Sequence, residues 1–177
     1  MESESKLLGE YIGGEKDSFI KILELYQETV YTFLYLSLPN KLLVPKAFQE
    51  VFRLISIRAP EFKGKTSLRC WILQITTQVG HEIKKKKLFS REKNRAPVNS
   101  QLITVDEAEP EEEFKEIVKA LNLLKSDQKT VVILHDNLAI PILEIAQILK
   151  LSMNSVLLLL HRGRRNGAQT LSRWKKT

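Results

Sequence analysis

The sequence predicts an all-α protein of two small helical domains joined by a flexible acidic linker, the second being a helix-turn-helix domain. Three observations carry this. Apolar residues recur at three- and four-residue spacing through every long segment. Glycine and proline number only 7 and 6 among 177 residues, too few for a turn-rich β fold. From Leu138 to Arg165, two short apolar helices are separated by a tight turn, and the second ends in a basic cluster. That layout suits a DNA major groove.

The first domain is expected over 1–95. Asp17 and Ser18 are expected to cap a helix beginning near Phe19. Phe19, Ile22, Leu23, Tyr26, Val30, Phe33 and Leu34 share one face of it, and Leu38-Pro39-Asn40 ends it. Pro45 suits the first turn of the next helix, which runs to about Ile57 with Phe48, Val51, Phe52 and Ile55 on one stripe. A basic loop from Ala59 to Lys65 contains two breakers, Pro60 and Gly64. Thr66 or Ser67 then caps a third long helix. Its Leu68, Trp71, Ile72, Ile75 and Val79 face inward, and it runs out into Lys84 to Lys87.

A linker is expected over 96–112, because helical patterning fades from Pro97 and an acidic run follows from Asp106. The acidic end favours the first turn of the next helix, where the dipole attracts negative charge. The second domain spans 113–177. Phe114, Ile117, Val118, Leu121 and Leu124 form one helix. Ser126 or Asp127 caps another, which buries Val131, Val132 and Leu134, and the helix-turn-helix pair follows.

The formal net charge of +7 and a pI near 9.5 favour anionic partners, nucleic acid or an acidic membrane surface. The single cysteine, Cys70, excludes an internal disulfide framework, and no metal-ligand spacing occurs. The N-terminus is acidic and polar rather than a signal peptide. No run approaches the ~18 apolar residues of a membrane span, so no membrane insertion and a cytoplasmic location are expected. His81, His135 and His161 lie in separate elements, no nucleophile motif exists, and Gly13-Gly14 lacks a phosphate-loop context. The chain therefore reads as a binding protein, with no enzyme activity, cofactor or metal expected.

Several short motifs follow one another in a definite order. In the first domain they are Phe19, Leu25-Tyr26, Val30-Tyr31 and Phe33, then Gln49-Glu50-Val51-Phe52, then Pro60 to Gly64, Ser67, Trp71 and Ile75. In the second they are Gln128, Val131, Glu144-Ile145-Ala146, Ile148-Leu149, Leu151-Ser152, Val156 and Leu160 to Arg165. With this order and spacing the chain resembles, over nearly its whole length, the extracytoplasmic-function sigma factors. These are the small two-domain class of sigma-70-like bacterial RNA polymerase initiation factors. The resemblance implies docking on the polymerase core through Gln49, Glu50 and Phe52. It implies engagement of the melted downstream promoter element by Phe62, Lys63, Lys65, Ser67, Arg69, Trp71 and Lys84, Lys85, Lys86 and Lys87. Trp71 taken alone reads as core. In the helix-turn-helix, Ser152, Asn154 and Ser155 are the implied base readers, and His161, Arg162, Arg164 and Arg165 the phosphate contacts. An anti-sigma factor or self-association is a further implied partner.

Three positions depart from the family pattern. Pro45-Lys46 replace acidic residues, Lys150 replaces a turn glycine, and Leu157, Leu158 and Leu159 replace polar and basic side chains. Three consecutive helical positions cover about 200° of surface, so one core cannot bury all three leucines. The leucines support a second reading: a sigma-like regulatory protein whose second domain binds a protein partner or itself through the Leu157–Leu160 face rather than reading DNA.

Overall fold

The structure, a computed structural model, describes residues 2–89 and 112–174, with side chains over 4–85 and 114–168. The expected linker up to residue 111, the basic residues Arg91, Lys93 and Arg95, and the side chains of Lys86 and Lys87 lie outside the described residues. The chain divides into two compact units, Met1–Asn94 and Arg95–Thr177. Among the described residues there are α-helices and short tighter or wider turns, and no strand.

The first unit opens with a helix that the periodicity did not announce, α1 (Glu2–Ile12). Leu8 is fully buried, while the Tyr11 ring packs tilted against Phe19 at 4.8 Å and its hydroxyl meets the Ser56 hydroxyl at 2.6 Å. The Gly13-Gly14 turn, with Gly14 at φ +106°, reverses the chain into α2 (Lys16–Ser37). This helix starts earlier than expected. Ser18 does not cap it but lies within its first turn, buried, donating to Glu10 Oε2 at 2.9 Å. Packing of α1 sets the start of α2, not a side-chain cap.

At the far end of α2, Lys41 donates to the Leu38 carbonyl at 3.1 Å and to the Tyr35 carbonyl, closing the helix terminus. Pro45 sits in the first turn of α3 (Val44–Arg58), where its missing N–H leaves no orphan donor. Ser67 caps α4 (Leu68–Phe89): its Oγ accepts the Cys70 N–H at 3.1 Å. Ile22, Val30, Phe33 and Leu34 of α2 meet Val51 and Ile55 of α3 and Leu68, Ile72, Ile75 and Val79 of α4 in one core. Burial of each such side chain contributes about 1.5–3 kcal/mol before chain entropy is counted. Cys70 is buried in the same layer.

In the second unit, α5 (Glu112–Asn122) leads to α6 (Ser126–Val132), whose N-cap is Lys125 rather than Ser126 or Asp127. α6 widens into a π turn over Ile133–Asn137. Then come α7 (Ile142–Leu149) and α8 (Met153–Trp174). The expected short second helix is 22 residues long. Leu121, Val131, Ile133, Leu134, Ile140, Ile145, Ile148, Val156 and Leu160 form the core. Val132, expected inside, is only half-buried. It faces Gly163 of α8, where an added Cβ would sit 2.7 Å from Val132 Cγ2 and 3.4 Å from the Gln128 carbonyl. The missing side chain lets α6 and α8 approach. Asn166 adds a hydrogen bond to Gln128 Oε1 at 3.2 Å.

Candidate nucleic-acid interface

In the first unit the loop before α4 turns at Gly64, whose φ of +66° suits glycine. Phe62 is fixed at its root by a bond from its N–H to the Ala59 carbonyl at 3.1 Å. Its ring lies 5.3 Å from the Trp71 ring at 55°. Both aromatics are half-buried, so Trp71 is neither the core residue expected on periodicity nor a free blade. Lys63 and Lys65 on either side of the turn are exposed. An aromatic pair beside cations can stack an unpaired base and hold its phosphate. Ser67 is engaged as the α4 cap, and Arg69 and Lys84 are half-buried, each with a partner of its own. Lys85 is exposed further along α4.

On α3 the expected trio separates. Gln49 is exposed, and Glu50 holds Arg53 by two bonds of 2.7 Å, from Nε to Oε2 and from Nη2 to Oε1. Phe52 is a correction: only 6% of it is exposed, and its ring packs at 4.9 Å on Phe48. Three residues past Gln49 the helix has turned its face to the core. The outward row is instead Gln49, Arg53 and Ile57, the last 59% exposed. Sequence reading missed Arg53 and Ile57, although their four-residue spacing from Gln49 was available as a signal.

In the second unit, α7 and α8 meet at 104°. Lys150 ends α7 at φ 54°, ψ 44°, and the Leu151 N–H closes back on the Ala146 carbonyl at 3.0 Å. This is the left-handed helix stop that glycine makes more cheaply, by about 1 kcal/mol. Ser152 caps α8: its Oγ accepts the Ser155 N–H at 3.1 Å and pairs with the Ser155 hydroxyl at 2.8 Å. Two of the three expected base readers therefore serve the helix end, and Asn154 stands exposed between them. Val156 and Leu160 point inward, Leu157 and Leu158 are each 48% exposed, and Leu159 is half-buried.

His161, Arg162 and Arg165 are exposed. Arg164 is tied to Asp136 at the end of the π turn, with Nε donating to Oδ2 at 3.0 Å and Nη2 to Oδ1. His135 Nδ1 lies 2.8 Å from the same carboxylate. Bonding from Arg164, outweighing partial burial, holds the Asp136 carboxyl below its ordinary value. Among the described residues, no group of His, Cys, Asp and Glu is arranged to hold a metal, and no single helix is long and apolar enough to cross a membrane.

Residues 114–166 match the family model described as Sigma-70, region 4. The chain is 27% identical over 156 residues to the ECF RNA polymerase sigma factor SigX of Bacillus subtilis (strain 168), covering 84% of this chain and 80% of that one. Its fold is similar to CnrH, solved in complex with the cytosolic domain of CnrY, at TM-score 0.74 and 15% identity over 96% of this chain and 97% of that one. It is also similar to the sigma factor RpoE from Bartonella quintana, solved in complex with the anti-sigma factor NepR. That match has TM-score 0.68 and 17% identity over 87% of this chain and 96% of that one. With this helical fold, this turn and a sigma-70 region 4 match over residues 114–166, the chain is similar to the extracytoplasmic-function group of sigma-70-like transcription initiation factors.

Proposed function

We propose that the two units divide promoter engagement between them. The first unit, 1–95, docks on core RNA polymerase through the outward row of α3, with Gln49, Glu50 and Arg53 as polar contacts and Ile57 as an apolar one. It then engages melted downstream promoter DNA at the turn before α4. The second unit, 113–177, meets the upstream element with α8.

The observation that carries this reading is the Phe62–Trp71 pair at 5.3 Å, flanked by exposed Lys63 and Lys65. Stacking of an unpaired base on an aromatic contributes about 1–3 kcal/mol, and the adjacent cations meet phosphates. Sigma factors are transcription factors rather than enzymes, and the chain's chemistry here is binding. Its place of action is where the nucleic acid lies, the cytoplasm. RpoE was captured with an anti-sigma factor, and a protein inhibitor of that kind is part of this proposal.

The test is run-off transcription with core polymerase and a promoter library. Transcripts that depend on the added chain are expected. Absence of any, with the chain folded and the core active on a control factor, overturns the reading.

A further inference from the structure

The exposed arc of α8 has an order along its length. Asn154, Leu157, Leu158, His161 and Arg165 fall within about 100° of helix surface, at 100° per residue. Its first two turns present leucines, and its next two turns present His161, Arg162 and Arg165. Lys150, also exposed, precedes the helix at the turn. The apolar pair is thus bracketed by cations on both sides, with about 18 Å of helix between Met153 and Arg165. A major groove has the same profile: uncharged base edges at its floor and phosphates on both walls.

Three of the polar groups that could have read bases here have bonds within the unit. Ser152 and Ser155 bond to each other at the helix cap, and Arg164 bonds to Asp136. What remains facing outward from the first two turns of α8 is one carboxamide, Asn154, and three apolar side chains, Met153, Leu157 and Leu158. The apolar group on the groove floor is the thymine 5-methyl.

The geometry points to a T·A-rich upstream element, read by contact of Leu157 and Leu158 with thymine methyls and by Asn154 with an adenine edge. This rests on the proposed role of the second unit in DNA binding, and it names the specificity of that same surface. Leucine supplies no hydrogen bond, so discrimination comes from methyl burial and from the cost of covering an unpaired polar edge of a G·C pair. The bracketing cations set the register without specifying bases.

The experiment uses the full chain assembled with core polymerase. Duplexes carrying a randomised segment upstream are selected for binding. Thymidines at the selected positions are then replaced with deoxyuridine, which removes only the methyl. Selection of T·A pairs is expected, with about a fourfold loss of affinity for each methyl removed. A double variant, Leu157→Ala with Leu158→Ala, should keep its helix by circular dichroism and bind thymine and uracil duplexes alike.

Selection of G·C pairs, or equal binding of uracil duplexes by the unchanged chain, overturns the inference while leaving DNA binding by the second unit intact. No preference at any upstream position also overturns it. If the double variant leaves DNA binding untouched but abolishes a self-associated or protein-bound species in sedimentation, the leucines serve a protein partner and the inference is wrong. Failure of the assembled complex to bind any duplex removes the proposed function itself, and is distinguishable from all of these.

Discussion

Asp136 and Arg164, 28 residues apart, form a two-point pair that joins the π turn to α8, with Nε donating to Oδ2 at 3.0 Å and Nη2 to Oδ1. The carboxylate occupies the side of the guanidinium that a phosphate would take. Arg164 was expected to be a phosphate contact on sequence grounds. In the folded unit it is a structural strut whose charge is balanced.

Replacing Asp136 with Asn should release that charge. The log–log salt slope of DNA binding is expected to steepen by about one unit, since one more cation becomes available to displace counterions. The cost in stability should be small, about 1 kcal/mol or less, because both side chains are partly exposed to solvent. The Asp136 carboxyl is lowered in the folded state, so the pair contributes above the ordinary carboxylate range and is lost as pH falls through the lowered value. Urea denaturation of the parent and Asp136→Asn proteins should therefore differ at neutral pH and converge in acid. An unchanged salt slope would show that Arg164 never reaches the backbone even when freed.

Two helix glycines should respond oppositely to alanine. At Gly163 the new Cβ would lie 2.7 Å from Val132 Cγ2, a stiff β-branched side chain, with the Gln128 carbonyl behind it at 3.4 Å. Gly163→Ala must push α8 from α6, at a cost of about 1–3 kcal/mol. At Gly80 the nearest atoms are Ser37 Oγ at 3.6 Å and Phe33 Cε1 at 3.7 Å, which is ordinary contact. Gly80→Ala should be neutral or stabilising by up to about 1 kcal/mol, through helix propensity. Thermal melts followed by circular dichroism decide both, and a Gly163→Ala protein as stable as its parent would contradict the close α6–α8 approach.

The sequence carried the helical class and most of the core, because Ile22, Val30, Phe33, Val51, Ile72 and Val79 repeat with the helical period. It also carried the exposure of the leucine run, since geometry forbids one core from covering Leu157 to Leu159. Helix α1 was not legible. Its buried apolar content is slight, and it is held by Tyr11 and Glu10 reaching residues 45 and 8 positions away. Periodicity puts Phe52 on the buried stripe and the family resemblance puts it at the polymerase surface; at 6% exposure it lies with the stripe. The engagement of Ser152, Ser155 and Arg164 in local bonds was not legible either, since a polar residue near a helix end reads alike as cap, strut or reader.

For core polymerase, Gln49→Ala combined with Glu50→Lys should weaken pull-down about tenfold or more. The lysine would also break the pair with Arg53 and place like charges one turn apart. Stability should change by no more than about 0.5 kcal/mol, because the row faces solvent. Undiminished capture of core by the folded double variant would remove α3 from the docking surface.

At the melted element, stacking and charge can be separated by substitution. Phe62→Ala removes one ring of the 5.3 Å pair while leaving Lys63 and Lys65 in place. Loss of one stacked base should lower open-complex formation about tenfold, within the range for a single base on an aromatic, with the salt slope unchanged. Phe62→Tyr should restore it, since a phenol ring stacks as well. Lys63→Ala with Lys65→Ala should act the other way: melting persists at low salt, and the slope falls by about two units. Permanganate reactivity of unpaired thymines, measured across a salt series well below the thermal transition of each variant, reads both quantities. If Phe62→Ala lowers only the melting temperature of the protein and open complexes form normally in the cold, then the ring serves packing against Trp71. The base-stacking role would then have to be sought elsewhere on the first unit.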